Sequence, residues 1–160
     1  MKKLIAFFSI VLALNASAQI DGGTMIAGGN AYFNHYINRS DSVTFKQTTV
    51  TISPQFGIAF ADNFVAGAYF SFSAVKDFSS WSVGPFVRYY MNNFYAHLGY
   101  GYTRSGSVGQ SVADISLGYA IFFNDYVALE PAVYYNQYFN KGLNGSDLGF
   151  KLGFQIYFNR

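Results

Sequence analysis

The stretch Asp147-Leu-Gly-Phe-Lys-Leu-Gly-Phe-Gln-Ile-Tyr-Phe158 alternates without a break. One set is Leu148, Phe150, Leu152, Phe154, Ile156 and Phe158. The other is Asp147, Gly149, Lys151, Gly153, Gln155 and Tyr157. A period of two places successive side chains on opposite faces of a strand. A strand of a soluble sheet can carry the same pattern. Here it recurs along the whole chain, with bulky aromatics on its apolar face, and that combination is the signature of a β-barrel whose outside touches lipid.

Composition points the same way. Aromatic residues make up 21% of the chain and charged residues only 11%, against about 25% charged in ordinary soluble domains. Beyond the N-terminus no apolar run has the roughly 20 residues that a membrane helix needs. A soluble barrel of the lipocalin kind would turn its aromatic face inward and show charge outside. The polar faces here are Gly, Ser, Thr and Tyr with few charges, a poor water-exposed surface.

The N-terminus reads as a cleavable export signal. Lys2 and Lys3 form a basic region, Leu4 to Leu14 is apolar apart from Ser9, and Ala16-Ser17-Ala18 fits the small-x-small cleavage pattern. Residues 1–18 are thus the expected signal peptide and 19–160 the barrel domain. Cleavage leaves 142 residues (160 − 18) and takes the formal charge from +2 to 0 (2 − 2). A near-neutral chain offers no electrostatic ground for binding nucleic acid. The absence of Cys excludes a lipoprotein signal, disulfides, thiolate metal sites and a Cys nucleophile.

Eight alternating segments follow: Thr24 to Ile37, Val43 to Phe60, Phe64 to Lys76, Ser80 to Tyr90, Phe94 to Thr103, Ser111 to Phe123, Tyr126 to Phe139, and the C-terminal stretch. The first has its outward set at Met25, Ala27, Gly29, Ala31, Phe33 and His35. Ala61-Asp62-Asn63, Met91-Asn92-Asn93 and Asn124-Asp125 read as tight turns, because Asn and Asp tolerate left-handed geometry. The polar stretches Asn38–Ser42, Asp77–Ser79, Arg104–Gln110 and Asn140–Ser146 read as loops at the other end. Short turns on one side and longer loops on the other is the outer-membrane layout, with turns and termini periplasmic. Sheet-like loops long enough for adhesion are not expected. Pro54, Pro85 and Pro131 fall inside strands on the outward set, where bulges would accommodate them. The expected fold is all-β: an eight-stranded, antiparallel, up-and-down transmembrane barrel.

With its export signal, strand alternation, turn and loop alternation and aromatic C-terminal strand, nearly the whole mature chain resembles the small eight-stranded outer-membrane barrels around OmpX and the OmpA membrane domain. The Ala-Gln cleavage context and aromatic-rich strands are similar to small barrels of Bacteroidetes-type bacteria. The resemblance implies insertion by the barrel-assembly machinery, with periplasmic chaperones, through a C-terminal signal matched by Phe154, Ile156 and Phe158; Asn159 and Arg160 after the last Phe depart from it. It also implies contact with outer-membrane lipid and lipopolysaccharide, and a monomeric state.

The interior is where chemistry would sit. Eight strands enclose a bore just wide enough for side chains to fill. Arg88, Asp114, Glu130 and Lys151, with His97 and Gln155, are expected inside, alongside Tyr69, Tyr95, Tyr134 and Tyr157. Charges there must pair or keep water. They form either a plug or a gate in which Glu130 exchanges between Lys151 and Arg88, opening a thin ion path. Some small barrels modify lipid A, which needs His, Ser and an acid near the outer rim. His35 lies near Ser40, Asp41 and Ser42 but faces outward, and His97 has no evident Ser or acid partner, so no catalytic residues are assigned. No His, Asp or Glu spacing fits a metal, and no cofactor is expected; Gly22, Gly23 and Gly28 precede no helix that would make a phosphate loop. Phe60, Phe64, Tyr89, Phe94 and Phe158 would form a periplasmic aromatic belt, and Phe72, Trp81, Tyr102 and Tyr135 an outer one. The expected role is structural, in envelope integrity or surface interaction, with a narrow pore and a lipid-modifying enzyme as rivals.

Overall fold

The structure, a computed structural model, describes residues 20–40, 43–75, 78–139 and 145–159, and the side chains of these except 33–40, 43–48, 75 and 78. Among them the strands are β1 Met25–Ser40, β2 Val43–Ala61, β3 Phe64–Val75, β4 Phe78–Met91, β5 Phe94–Ser105, β6 Val108–Tyr119, β7 Ile121–Phe122, β8 Val127–Phe139 and β9 Gly145–Phe158. β6 and β7 are one strand interrupted at Ala120: Gly118 faces Ala132, and the same register resumes with Ile121 opposite Leu129. Each strand pairs antiparallel with the next and β9 pairs with β1, so the sheet closes as an eight-stranded barrel.

Closure fixes the geometry. From Met25, cross-strand partners lead through Ile58, Ala66, Val87, Leu98, Ile115 and Tyr135 to Leu148. Yet the partner of Met25 across the closing seam is Phe158, a stagger of ten residues (158 − 148). With strand spacings of about 4.7 Å and a rise of about 3.3 Å per residue, that stagger tilts the strands by about 41° around a backbone radius of about 8 Å. The bore is therefore narrow, and odd and even residues go strictly to opposite sides of the wall.

Ile52, Phe56, Ile58, Leu117, Phe150 and many other large apolar side chains are exposed on the outside. The expected aromatics all lie on this outer wall. Phe60, Phe64 and Tyr89 touch in series near the Asn-rich turns, with ring centroids 5.9 and 4.4 Å apart. Trp81 meets Tyr102 toward the other end, with Phe72 opposite Trp81 on the neighbouring strand. Eight residues separate Tyr89 from Trp81 (89 − 81), about 20 Å of height at this tilt, and with the rings reaching beyond it this is comparable to an apolar band of about 25 Å.

The turns follow the residues. Asn63 and Asn92 adopt positive φ (64° and 56°), and Asn124 Oδ1 accepts from the backbone N–H of Tyr126 and Val127, both at 2.8 Å. The opposite end differs from expectation. Ser79 is already in β4, and β5 and β6 run through most of Arg104–Gln110 to a turn at Gly106 and Ser107, with Gly106 at φ 58°. Polar residues keep the antiparallel ladder going beyond the apolar alternation, because backbone pairing does not depend on side-chain polarity. The β1–β2 hairpin runs furthest. It stays paired to Ser40 and Val43, whereas β1 meets β9 only up to Tyr32 and β2 meets β3 only up to Val50. The expectation of short loops without sheet-like projections is corrected at this hairpin.

The prolines need no bulge. Each keeps one neighbouring ladder: Pro54 with Gly29, Pro85 with Ala68, Pro131 with Leu152. On the other side pairing lapses and resumes in unchanged register, from Ile52–Phe72 to Gln55–Tyr69, from Val83–Tyr102 to Phe86–Gly99, and from Gly118–Ala132 to Ile121–Leu129. Proline lacks the N–H for only one side of the ladder. The register shift lies elsewhere, between Ala59 and Ala61.

Residues 20–24 fold across the short-turn end of the bore. Ile20 exchanges backbone bonds with Asn63, donating to Oδ1 at 3.1 Å and accepting from the Asn63 N–H at 2.7 Å. Its side chain is fully buried with Ile26, Ala59, Val65, Phe122, Ala128 and Tyr157. This end is therefore closed by an apolar layer.

Some inward positions admit no side chain. A Cβ on Gly84 would lie 2.6 Å from the Cα of Gly101 and 2.9 Å from the carbonyl carbon of Tyr100. Gly84→Val should lower stability by about 1–3 kcal/mol through overpacking, measured by urea unfolding in lipid vesicles. Gly145→Ala, which meets nothing within 4 Å, should leave the midpoint unchanged.

Candidate functional site

Inward parity brings all six expected bore residues inside. Arg88, His97, Asp114, Glu130, Lys151 and Gln155 are buried, and they separate into two layers.

The deeper layer lies against the apolar closure. Arg88 Nη1 donates to Glu130 Oε2 at 2.8 Å, and neither side chain has any exposed surface. Tyr157 donates to Glu130 Oε1 at 2.6 Å, Tyr90 lies 3.3 Å from the same oxygen, and Arg88 Nη1 also donates to the Tyr90 hydroxyl at 2.9 Å. The guanidinium carbon sits 4.4 Å from the Tyr95 ring centroid. That ring face receives the part of the cation that has no acceptor, since Arg88 Nε and Nη2 make no hydrogen bond among the described residues. A buried pair is tolerated better when further hydrogen bonds meet its remaining valences; the phenols supply these to Glu130, and the Tyr95 ring face stands in for acceptors on the Arg88 side. Gln155 is fully buried nearby, between Gly28 and Ala128 on the flanking strands, and its amide makes no hydrogen bond among the described residues.

The second layer is the floor of a cavity. His97 Nε2 lies 3.0 Å from Asp114 Oδ1, and Lys151 Nζ lies 3.8 Å from the same oxygen and 5.6 Å from the Tyr32 ring centroid. Two expectations are corrected here. His97 does have an acid, Asp114, and Ser116 directly across the strand pair. Lys151 pairs with Asp114 rather than offering Glu130 a second partner. Glu130 is level with Gly153, two residues closer to the closed end than Lys151, where Arg88 and the phenols already hold it. Ser116 is buried, and among the described residues neither its Oγ nor His97 Nδ1 makes a hydrogen bond, so the three residues do not form a relay.

Above this floor a polar cup of about 260 Å³ opens away from the Asn-rich turns. One wall is hydroxyl: Thr51 with Ser73, and Ser71 donating to Ser53, each pair at 2.6 Å. The facing wall carries Tyr32, Tyr134, Asn136, Tyr138 and Asp147. Tyr32 meets Tyr134 edge-on at 5.0 Å, and Asn136 Nδ2 reaches Asp147 Oδ2 at 3.5 Å. Tyr32, Tyr90 and Tyr138 were not among the expected bore residues, although their even numbers in β1, β4 and β8 place them inside. No group of three His, Asp or Glu suited to a metal ion occurs among the described residues.

The alternative rim site lies outside the description: Asp41 and Ser42 are not among the described residues, and the side chains of His35 and Ser40 are not described. Residues 1–18, the expected signal, and Arg160 are also outside. Phe154, Ile156 and Phe158 project outward from β9 beside the apolar belt.

This is the fold of small membrane-spanning barrels. The crystal structure of Neisserial surface protein A superposes with a TM-score of 0.53 at 15% identity, covering 85% of this chain and 96% of that one. A de novo designed transmembrane β-barrel superposes with a TM-score of 0.52 at 13% identity, covering 88% and 99%. No protein-family model and no curated protein matches the chain. At these identities the likeness shows the architecture alone.

Arg88→Met should cost about 3–5 kcal/mol because it strands a buried carboxylate. Adding Glu130→Gln, which keeps an acceptor for the phenols, should recover about 2 kcal/mol of that loss. Urea unfolding of the two single variants and the double variant in vesicles checks this; simple additivity would mean that the pair is not coupled.

Proposed function

We propose that the chain is an integral outer-membrane barrel with a non-enzymatic role at the envelope, sealed against ion flow and presenting a polar cup to the exterior. The observation that carries this reading is the two-part closure. The Arg88–Glu130–Tyr90–Tyr157 layer and the apolar layer around Ile20 together fill the bore at the short-turn end. The lipid-compatible outer wall and the two small-barrel likenesses support membrane residence. Reading residues 1–18 as an export signal supports the outer membrane, as do the OmpX- and OmpA-like resemblance and a last strand fit for the barrel-assembly machinery. In this reading the protein is a monomer surrounded by outer-membrane lipid and lipopolysaccharide.

The rival pore depended on Glu130 moving between Arg88 and Lys151, and Lys151 is engaged with Asp114. The rival enzyme has one observation in its favour, the His97–Asp114 hydrogen bond beside Ser116. Burial of Ser116 at 1% exposure keeps its hydroxyl from the cup.

Refolded protein in planar bilayers should give no discrete channel openings, and lipid A masses should match in cells with and without the protein. Reproducible unitary currents from verified folded protein would replace the sealed reading with the pore. A lipid A mass shift would replace it with the enzyme.

A further inference from the structure

The cup itself has the construction of a ligand site, and three of its properties narrow the ligand. The first is size. A volume of about 260 Å³ equals eight or nine water volumes at about 30 Å³ each and falls just below the range of about 300–1,000 Å³ typical of drug-sized ligands. The second is the contrast between its walls. On β2, β3 and β4, Thr49, Thr51, Ser53, Ser71, Ser73 and Ser82 present hydroxyls. Each hydroxyl offers one donor and two acceptor sites, so the two close pairs, Thr51–Ser73 and Ser71–Ser53, leave most of that capacity unspent. The opposite wall is aromatic and acidic, with Tyr32, Tyr134, Tyr138 and Asp147. The third is charge. Asp114 is already held by His97 and Lys151, and the Lys151 ammonium already lies over the Tyr32 ring. An external cation would compete with that resident ammonium, and an external anion would face two carboxylates.

A small ring with one apolar C–H face and hydroxyls around its edge fits these walls. Its C–H face would lie on the tyrosines, and its hydroxyls would exchange hydrogen bonds with the serine and threonine wall and with Asp147. We propose that the cup binds a neutral monosaccharide, free or as the headgroup of a glycolipid. The inference rests on the reading of the barrel as floored beneath the cup. For the second source the end of the closing ladder matters: β9 meets β1 only up to Lys151 opposite Tyr32, so Gly145 to Phe150 have no pairing on that side among the described residues. On that stretch Asp147 lines the cup, and Leu148 and Phe150 face the outer wall, 72% and 77% exposed.

The test is a backbone-amide NMR titration of the mature chain folded in lipid nanodiscs. The probes are D-glucose, D-galactose, N-acetyl-D-glucosamine, D-glucuronate and choline. At least one neutral sugar should shift amides of Thr51, Ser71 and Tyr134 saturably, with a dissociation constant of about 1–10 mM. Ser71→Phe and Ser82→Leu, each filling the cup from a different strand, should weaken that binding at least about tenfold, while Gly145→Ala should not. Nanodiscs containing a glucosyl diacylglycerol then separate the sources. Competition with the free sugar assigns the headgroup, and its absence assigns the free sugar; both keep the neutral-monosaccharide site. The proposal fails if no neutral sugar saturates below about 100 mM, or if glucuronate or choline saturates at least about tenfold lower. Because binding is read without current, a failed sugar titration is distinguishable from a failed seal.

Discussion

A chain in lipid must pair every backbone N–H and C=O within itself, and in a β-structure only a closed ring does so. The rest of this molecule follows from that requirement. Pairing of β1 with β9 closes the ring, and the ten-residue stagger at closure sets tilt and radius together. A bore of this radius is filled by side chains rather than by a continuous water column. The interior then has to be solved as a packing problem, with glycines such as Gly84 placed where two strands leave no room for a Cβ.

The interior solution divides along the axis. At the Asn-rich turns the bore is apolar or ion-paired: Ile20, Val65 and Phe122 close it, and Arg88 and Glu130 pair beside the Tyr90 and Tyr157 hydroxyls and the Tyr95 ring. Toward the other end the inward residues of β2, β3 and β4 shrink largely to serine and threonine while tyrosines keep the facing wall, and the same bore becomes a cup. The two buried cations, Arg88 and Lys151, are matched by two carboxylates, Glu130 and Asp114, so the described charges of the deep bore cancel when His97 is neutral. A sealed base and an open polar mouth are thus properties of one row of alternate residues. Their side-chain volume, not their polarity, decides where the bore is filled.

Much of this architecture is legible in the residues. The parity of Asp147–Phe158 assigns every side chain of β9 to a side, and the same counting places Arg88, Glu130 and Lys151 inside. Asn63 and Asn92 announce their turns because Asn tolerates positive φ. The misses have physical causes. Parity already puts Ile26, Val65, Phe86 and Phe122 inside, but it does not show that they gather into a dry closing layer, because that depends on the stagger between strands. Residues 20–24 lack alternation, so nothing in their pattern marks Ile20 as a seal. The partner of Lys151 depends on the stagger, a property of ring closure that no single strand displays. The β1–β2 hairpin outruns its neighbours because polar residues pair as readily as apolar ones.

We propose one barrel with its open end toward the exterior and a sealed inner end. The chain has no Cys, so single cysteines report access directly. In intact cells a membrane-impermeant thiol reagent should label Ser82→Cys in the cup but not Asn92→Cys at the turn end, which should label only after the outer membrane is permeabilised. Val65→Cys, in the sealed layer, should stay unlabelled in both conditions. Labelling of Asn92→Cys in intact cells with Ser82→Cys protected would reverse the orientation. Labelling of Val65→Cys from outside would contradict the seal.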